Sequence, residues 1–558
     1  MSARRPVIGF LAGDFPWDEP PRKIGKLLSS GATARNVSQA LRAVGTLSPY
    51  QPPAPDAPAA KHRDTLETFL RSIDVLWASA YPPAGPALTL RHELGLPCRA
   101  VLNMEGTLPK AAEHLLFPWQ SLLRPGDALV FSCRADQAIW RRLTAQSALA
   151  EHVVPLPVDT DTFRPRTPHE RAAARARLNV SPTVPLLLYV GRLNQQKNLH
   201  GLLRLFARVR EEIADAVLCM VGEEDDIALG EFNVPNTGYV DLLKALAAEL
   251  GVAPAVRFAG PLFGDELAQT YAAADVLVNA GFYHRENFGL SQAEAQACGV
   301  PVVCSDWGGF RDVVAPNETG FLVETVLTRN GVRVDWRAGA RHVVRLLTDA
   351  GLREQMGARA VERARERFGV EAVGRLLAQV VEESGPIGTT AATAFVASPF
   401  ARRYEAHKRA CGWYGPPAAP SWRPALFGGR DYALYETLMR PYATRLAAEL
   451  PAHAIAPTWT PYLPAPVALD PPRRFARSRD PIWPHARFLP ADDFDVLRRV
   501  DGTASVAALG ASAAAALWRQ HVEGFVLFDT VAEREGRNGP FAETRRGGPE
   551  EPEEAENT

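Results

Sequence analysis

This sequence has few cysteines and almost no net charge. Its 558 residues include six cysteines, none of them in a C-x-x-C pair, and the formal net charge is −1. A chain of this size does not need disulfide bonds to hold a core together, so we expect reduced thiols and a cytoplasmic location. A charge near zero gives no overall attraction to nucleic acid, and no nucleic-acid partner is expected.

Long apolar runs are absent as well. No stretch reaches the ~18 consecutive apolar residues that a membrane-spanning helix requires. The apolar run at 7–12 follows two arginines, but Asp14 ends it without a small-residue cleavage site, so it does not indicate a signal peptide. We expect a soluble protein whose composition still allows peripheral contact with a membrane surface.

The residues that are present indicate two large domains of α/β type. A chain of 558 residues exceeds what one hydrophobic core usually serves. Short, nearly continuous apolar runs alternate with amphipathic stretches, and this alternation restarts after Pro182, which is typical of parallel sheets covered by helices. The predicted strands are 7–12, 73–78, 99–103, 128–132 and 152–156 in the first half, and 186–190, 217–221, 256–259, 276–279, 301–304 and 321–323 in the second.

We therefore predict a Rossmann-like domain over 1–165 and a second one over 180–384, the latter closed by a long helix at about 341–383 with a glycine break. Residues 385–480 are rich in proline and aromatics and are predicted to be an irregular extension with one helix, 431–450. The polar, acidic end at 533–558 is expected to be disordered.

Residues 485–530 are predicted to form a small separate module of helices followed by a short strand. That order resembles a winged-helix fold, and it looks somewhat like the small peptide-docking domains of peptide-modifying biosynthetic enzymes. A structural cap or a dimer contact is an equally good interpretation. The alanine-rich helix offers no basic face for DNA.

One candidate site segment follows the first strand of the second half. The strand ends at Gly191, a short loop carries Arg192 and Lys197, and a helix begins near Asn198. Ligands of open α/β sheets bind outside the carboxyl ends of the strands, so both cations lie where an anionic ligand would bind. Taken alone, they could equally be two solvated surface cations.

A second segment runs from a strand through a loop into a helix. Glu286 lies in the loop, Gly289 stands at the predicted helix start, and Glu294 lies about one turn inside the helix. Free backbone N–H groups and the helix dipole favour an anion there, and glycine permits a close backbone approach. Without the surrounding pattern, both glutamates would be interpreted as ordinary acids near a helix start.

Together these segments resemble the retaining glycosyltransferases of the GT-B fold in family 4. The pair Glu286 and Glu294 matches that family's E-x7-E motif, with Phe288, Gly289 and Leu290 between them. The segment from Gly191 to Lys197 matches its G-R-L…K motif. The resemblance is strong over 180–330 and loose over 1–165, and it implies two Rossmann-like domains facing a central cleft.

The resemblance also implies a reaction and a set of site residues. The donor is a nucleotide-diphosphate sugar, no metal or cofactor is implied, and the configuration of the sugar is retained by a front-face displacement in which the leaving phosphate takes the acceptor proton. Arg192, Lys197 and Glu286 form the implied catalytic set. The implied donor contacts are Glu294 to the ribose, Phe288, Gly289 and Leu290 through their backbone, Gly191 beside the diphosphate, and Leu262 near the base.

Glu105 departs from the family pattern. Where the family often carries a histidine facing the donor sugar, the segment here reads 101-VLNMEG-106. A carboxylate at Glu105 can bind a sugar hydroxyl but reverses the polarity beside the diphosphate, which puts the sugar's identity in doubt. The acceptor stays open among saccharide, lipid, metabolite and peptide, as does the oligomeric state. A catalytically inactive nucleotide-sugar-binding scaffold, or an adaptor acting through 385–530, is the alternative.

Overall fold

Two parallel sheets form the larger part of the computed structural model. It describes residues 4–11, 28–54, 56–79, 84–104, 121–224, 238–283, 286–382, 394–410, 438–478, 485–510 and 512–530. The chain divides into a larger compact unit, Met1–Leu327 with Val334–Arg445, and a smaller one, Thr328–Arg333 with Leu446–Thr558. Within the described ranges, no helix combines the length and the apolar character needed to cross a bilayer.

The first sheet of the larger unit has six parallel strands in the order β2-β1-β3-β4-β5-β7. Its central strands are apolar and buried, as the sequence predicts for strands covered on both faces. The strands are β1 Val7–Phe10, β2 Thr46–Pro49, β3 Val75–Ser79, β4 Arg99–Asn103, β5 Ala128–Phe131 and β7 Ala150–Val153, and the helices are α1 Leu28–Val44, α2 Ala59–Ser72, α3 Ala84–Glu93 and α4 Arg134–Leu143.

The second sheet also has six parallel strands, in the order β10-β9-β8-β11-β12-β13. Its strands are β8 Leu186–Val190, β9 Val217–Val221, β10 Val256–Gly260, β11 Val276–Asn279, β12 Val302–Ser305 and β13 Gly320–Val323. The helices of this half are α5 Pro168–Arg177, α6 Leu199–Glu212, α7 Tyr239–Glu249, α8 Gly264–Ala273, α9 Leu290–Ala297 and α10 Phe310–Val313, with short 3-10 turns at Gln195–Lys197 and Ala253–Ala255. The two Rossmann-like sheets predicted from the sequence are confirmed.

The predicted long helix at 341–383 is three helices. They are α11 Trp336–Thr348, α12 Ala350–Arg363 and α13 Val370–Glu382, with a π-helical turn at Ala364–Phe368 after α12. Asp349 separates α11 from α12. Its carboxylate caps the N-terminus of α12 by accepting a hydrogen bond from the N–H of Leu352. A glycine break is present as predicted, at Gly369 between the π-helical turn and α13, whereas the break at Asp349 was not predicted.

Helix α13 packs into the core of the first sheet rather than of the second. Val373, Leu377 and Val380 share a buried cluster with side chains of β1, β3 and β4. Arg99 of β4 donates to the carbonyl oxygens of Val380 at 2.9 Å and Val381 at 3.2 Å. A buried cation therefore satisfies carbonyls at the end of α13 and holds it on the first sheet.

The extension supplies further elements to the larger unit. Strand β16 Phe395–Ala397 pairs antiparallel with β6 Thr144–Ser147, and α14 Pro399–Ala410 follows it. Strands β14 Thr325–Thr328, β15 Gly331–Val334 and β17 Arg445–Leu446 lie at the points where the chain passes from one unit to the other. The predicted helix at 431–450 is wrong after Met439, since the chain leaves the helix there and becomes extended at β17. The backbone N–H of Thr444 donates to Thr325 instead of continuing a helical ladder.

The smaller unit has its own buried core, with Leu450, Trp459, Phe494 and Leu517 among its members. The strands are β18 Thr460–Tyr462, paired with β22 Leu527–Asp529, and the antiparallel set β19 Val467–Asp470, β20 Phe475–Ser478 and β21 Ala486–Phe488. The helices are α15 Ala491–Leu497 and α16 Ala513–Val522, with 3-10 turns at Ala447–Glu449, Ala452–Ala454 and Ala507–Leu509.

Part of this smaller unit comes from the middle of the chain. In the hairpin Thr328–Arg333, the N–H of Arg329 donates to Val522 O at 2.9 Å and the amide of Asn330 donates to Glu523 O at 2.9 Å. Arg333 donates to Gly524 O at 3.0 Å. The unit is therefore discontinuous in sequence.

Candidate active site

The strand order of the second sheet determines where a crevice opens. Strand β8 pairs with β9 on one side and β11 on the other. The connections leaving β8 and β11 therefore run in opposite directions, which makes this pair of strands the topological switch point of the sheet. In open α/β sheets, ligands bind outside the carboxyl ends of the strands at such a point.

Lys197 is placed in this crevice by the turn that precedes α6. Gln195–Lys197 forms a 3-10 turn, and Asn198 follows in the left-handed conformation with φ 53°. The Asn198 side chain donates to Ala280 O at 2.9 Å, which ties the turn to the segment after β11. Lys197 forms an ion pair with Glu286, and their side chains are only 14% and 12% exposed. The structure therefore joins two residues that lie 89 positions apart and that the sequence singled out separately.

Two glycines allow the neighbouring loops to come together beside Arg192. A Cβ atom on Gly222, whose φ is 146°, would lie 1.9 Å from the carbonyl oxygen of Gly191. The hydroxyl of Tyr189 donates to Arg192 O at 2.9 Å, which fixes the backbone of the loop. The Arg192 side chain is exposed. An exposed guanidinium and a part-buried lysine on the same loop suit a ligand with more than one anionic group.

Gly289 directly precedes helix α9 and follows the loop that carries Glu286. Gly289 has φ 108°, and a Cβ atom there would lie 2.8 Å from the Phe310 ring. Phe288 is 1% exposed and its ring packs edge-on against Phe368 at 5.6 Å, so its side chain belongs to the core. Leu290 is the first residue of α9. The first N–H groups of any α-helix have no partner within the helix, so this end of α9 favours an anion.

Glu294 lies one turn further along α9, and its carboxylate accepts from the hydroxyl of Tyr271 at 2.8 Å. Desolvation raises the pKa of Glu294 to about 7, and the hydrogen bond from Tyr271 acts in the opposite direction. The pKa of the Tyr271 hydroxyl is raised well above its ordinary value by burial and by the carboxylate beside it. Tyr271 was not predicted from the sequence, where its only signal is its position just before the alanines that lead into β11.

Leu262 and Glu105 are the two other residues predicted to contact the donor. Leu262 is half-buried in the loop between β10 and α8. Glu105 lies outside the residues that the structure describes. The proximity of these two residues to a donor stays a prediction.

The two Rossmann-like halves also contact each other through residues that no local motif indicated. The amide of Asn287 donates to Ser132 Oγ at 3.0 Å. Arg134 donates to Asp312 through its backbone N–H at 2.7 Å and through Nε at 2.5 Å. Both contacts involve the N-terminal end of α4, which therefore lies against the loop that carries Glu286.

Comparison with known proteins agrees with this arrangement. Residues 170–363 match the family model for "Glycosyl transferases group 1". A D-inositol 3-phosphate glycosyltransferase of Thermomonospora curvata is 32% identical over 338 residues, which cover 59% of this chain and 74% of the relative. The chain belongs to the group 1 glycosyltransferases.

Other group 1 relatives are matched over less of their length. A D-inositol 3-phosphate glycosyltransferase of Streptomyces bingchenggensis is 33% identical over 317 residues, covering 55% of this chain and 64% of the relative. A D-inositol 3-phosphate glycosyltransferase of Xylanimonas cellulosilytica is 36% identical over 255 residues, which cover 45% of this chain and 55% of the relative. The matched part therefore spans little more than half the length of some curated relatives.

The fold agrees with a solved member of the same class of enzymes. The crystal structure of a glycosyltransferase from Rickettsia africae superposes with a TM-score of 0.52 at 16% identity, covering 68% of this chain and 98% of that one. At this identity the likeness shows the fold alone. About a third of this chain has no counterpart in that structure.

Proposed function

We propose that this group 1 glycosyltransferase transfers a sugar from a nucleotide-diphosphate donor to an acceptor hydroxyl, with retention of configuration and without a metal ion, as in family 4. The observation that carries the proposal is the meeting of Lys197 and Glu286 at the switch point of the second sheet. Glu294, one turn inside the helix whose start faces the same crevice, supplies the third group.

The roles follow from the chemistry of these groups. Lys197 and Arg192, with the N–H groups at the start of α9, stabilise the negative charge that develops on the leaving diphosphate. The carboxylate of Glu294 accepts hydrogen bonds from the ribose hydroxyls. Glu286, half-buried beside Lys197, binds the donor sugar, and the departing phosphate takes the proton of the acceptor hydroxyl.

A panel of UDP-, GDP-, ADP- and dTDP-sugars tests this proposal. Thermal shift and slow donor hydrolysis are measured on the purified chain, and we expect one donor to raise the unfolding midpoint and to be hydrolysed. Stabilisation without hydrolysis would favour the inactive scaffold. No response to any donor would contradict nucleotide-sugar binding altogether.

The acceptor is tested once the donor is known. D-inositol 3-phosphate belongs in the panel because the matched relatives carry it in their name. Saccharide, lipid and peptide acceptors belong there too, since about a third of the chain lies outside the part that matches the solved glycosyltransferase. Faster donor consumption with one class, together with the sugar recovered on that acceptor, identifies the substrate.

A further inference from the structure

Residues 438–445, which we call the strap, are a buried piece of the extension. They lie beyond the residues that match the family model, which ends at 363. Leu438, Met439, Tyr442 and Ala443 are each 0% exposed. A segment so fully buried is part of the body of the larger unit rather than a linker.

The strap packs against the turn that supports Glu286. Tyr442 accepts from the backbone N–H of Gly308 at 3.0 Å, and its ring lies 5.4 Å from that of Trp307. A Cβ atom on Gly308 would lie 2.7 Å from the Tyr442 ring and 2.8 Å from Glu286 O. The N–H of Gly309 donates to Glu286 O at 3.2 Å. The turn therefore lies directly between Tyr442 and the backbone of Glu286.

The end of the strap is fixed at the carboxyl ends of two strands of the second sheet. Thr444 donates through its hydroxyl to Asp306, next to β12, at 2.7 Å. Arg445 donates to Glu324, next to β13, at 2.6 Å. These bonds leave the strap little freedom to slide along the sheet.

The hydroxyl of Tyr442 reaches the other half of the larger unit. It donates to the carboxylate of Asp136, in the first turn of α4, and Asp136 is 0% exposed. The same end of α4 holds Asn287 through Ser132 and Asp312 through Arg134. One side chain of the extension thus contacts both halves where they meet beside the candidate site.

We propose that Tyr442 is a positioning residue of the donor site. Its ring and carbonyl fix the turn at 307–309, its hydroxyl fixes the start of α4, and together they hold Glu286 in place beside Lys197. This inference rests on the proposed function. It extends the site to a residue 156 positions after Glu286, in a part of the chain outside the family model.

The variant Tyr442→Phe tests the role because it removes the hydroxyl and keeps the ring. The reference donor is the nucleotide sugar from the panel that is hydrolysed fastest. We expect kcat for its hydrolysis to fall about tenfold, which would report an interaction needed in the transition state. We expect the Kd of the free nucleoside diphosphate to change by less than about twofold, since the Tyr271–Glu294 pair that meets the ribose is untouched.

The partner Asp136 gives a second, independent route to the same bond. Asp136→Asn keeps an acceptor for the tyrosine hydroxyl and should retain most of kcat, whereas Asp136→Ala should lose about as much as Tyr442→Phe. The double variant Tyr442→Phe with Asp136→Ala should lose no more than either single one, because one bond is removed in each case. Tyr404→Phe, a buried tyrosine of the same extension, is the matched control.

Three results would overturn the inference. Wild-type kcat in both Tyr442→Phe and Asp136→Ala would do so, as would losses that add in the double variant. A merely structural role would be shown if kcat and nucleotide affinity of Tyr442→Phe both fell in proportion to its unfolding midpoint, in the same way as those of the control Tyr404→Phe. Lys197→Ala separates the two proposals: if it also retains wild-type turnover, or if the wild type hydrolyses no donor, the proposed function fails first.

Discussion

At the scale of single residues, the proposed function depends most on the ion pair between Lys197 and Glu286. Because the lysine is paired with a carboxylate, a donor diphosphate would compete with Glu286 for the same ammonium group. Under the proposed function, the carboxylate of Glu286 is then available to the donor sugar.

Replacing Lys197 by alanine should lower kcat for donor hydrolysis strongly. Loss of one charge-stabilising donor in a transition state costs about 3–4 kcal/mol, or about 10² to 10³ in rate. Steady-state hydrolysis of the donor found in the panel measures the change. The matched control is Lys244→Ala, since Lys244 is an exposed lysine on α7 that pairs with its helix neighbour Asp241 and lies over the Phe258 ring. Equal effects of the two substitutions would remove Lys197 from the site.

The carboxyl group of Glu294 should make both stability and donor binding depend on pH. Its pKa in the folded chain is about 7, above the ordinary value of 4.5, because burial penalises the charged form. The stability that the neutral form contributes is fully present below pH 4.5 and is lost as the pH rises through 7. The wild type should therefore lose unfolding midpoint relative to Glu294→Gln between pH 5 and pH 8.

Donor affinity should follow the opposite course. The ionised carboxylate is the better acceptor for the ribose hydroxyls, so binding should strengthen as the pH rises through about 7. The Kd of the nucleoside diphosphate, measured at several pH values, should show this step in the wild type and lose it in Glu294→Gln. A step of the same size in both proteins would place the titrating group elsewhere.

At the scale of elements, the sequence predicted what is apolar and buried. The predicted strands 217–221 and 276–279 coincide with β9 and β11, because nearly every side chain in them faces a core. Among the missed strands, β2 and β6 contain no buried residue, so no apolar run marks them. The start of helix α9 was predicted correctly, because Gly289 stands directly before it.

The residues of the candidate site also fall into predictable and unpredictable ones. Residues in short motifs beside strand ends, such as Lys197 and Glu294, were predictable because a local pattern and a fold rule place them. Tyr271 and Tyr442 were not, since each acts through a partner distant in sequence. The Tyr442–Asp136 bond joins residues 306 positions apart, and no local pattern reports such a contact.

The close approach of the loops after β8 and β9 should tolerate no side chain at Gly222. A methyl group there would overlap the carbonyl oxygen of Gly191, so Gly222→Ala should lower the unfolding midpoint by an amount equivalent to about 2 kcal/mol or more. The control is Gly251→Ala, whose φ of 70° is also unfavourable but whose surroundings are open. Thermal unfolding of both variants gives the comparison, and equal shifts would contradict the steric explanation.

At the scale of the whole molecule, segments that come late in the chain pack into the core of the first sheet. Helix α13 follows the second sheet in sequence but is buried against the first. The extension then returns to both halves through β16 and the strap. The chain therefore crosses between the halves more often than a simple pair of consecutive domains requires.

Arg99 is the residue that should test this crossover. It donates to carbonyls at the end of α13 from inside the first sheet, and removing a charged donor from buried acceptors costs about 2–3 kcal/mol. Arg99→Ala should therefore raise amide hydrogen exchange across 370–382. Arg375→Ala, an exposed arginine on the same helix, should not. Unchanged exchange in Arg99→Ala would show that apolar packing alone holds α13.

The hairpin Thr328–Arg333 gives the smaller unit an order of assembly. On the ribosome, these six residues emerge more than a hundred residues before the rest of their own core. Arg329, Asn330 and Arg333 must wait for the carbonyls of 522–524 to be synthesised before their bonds can form. The smaller unit therefore cannot complete its fold until translation has passed residue 524, by which time both Rossmann-like sheets have been made.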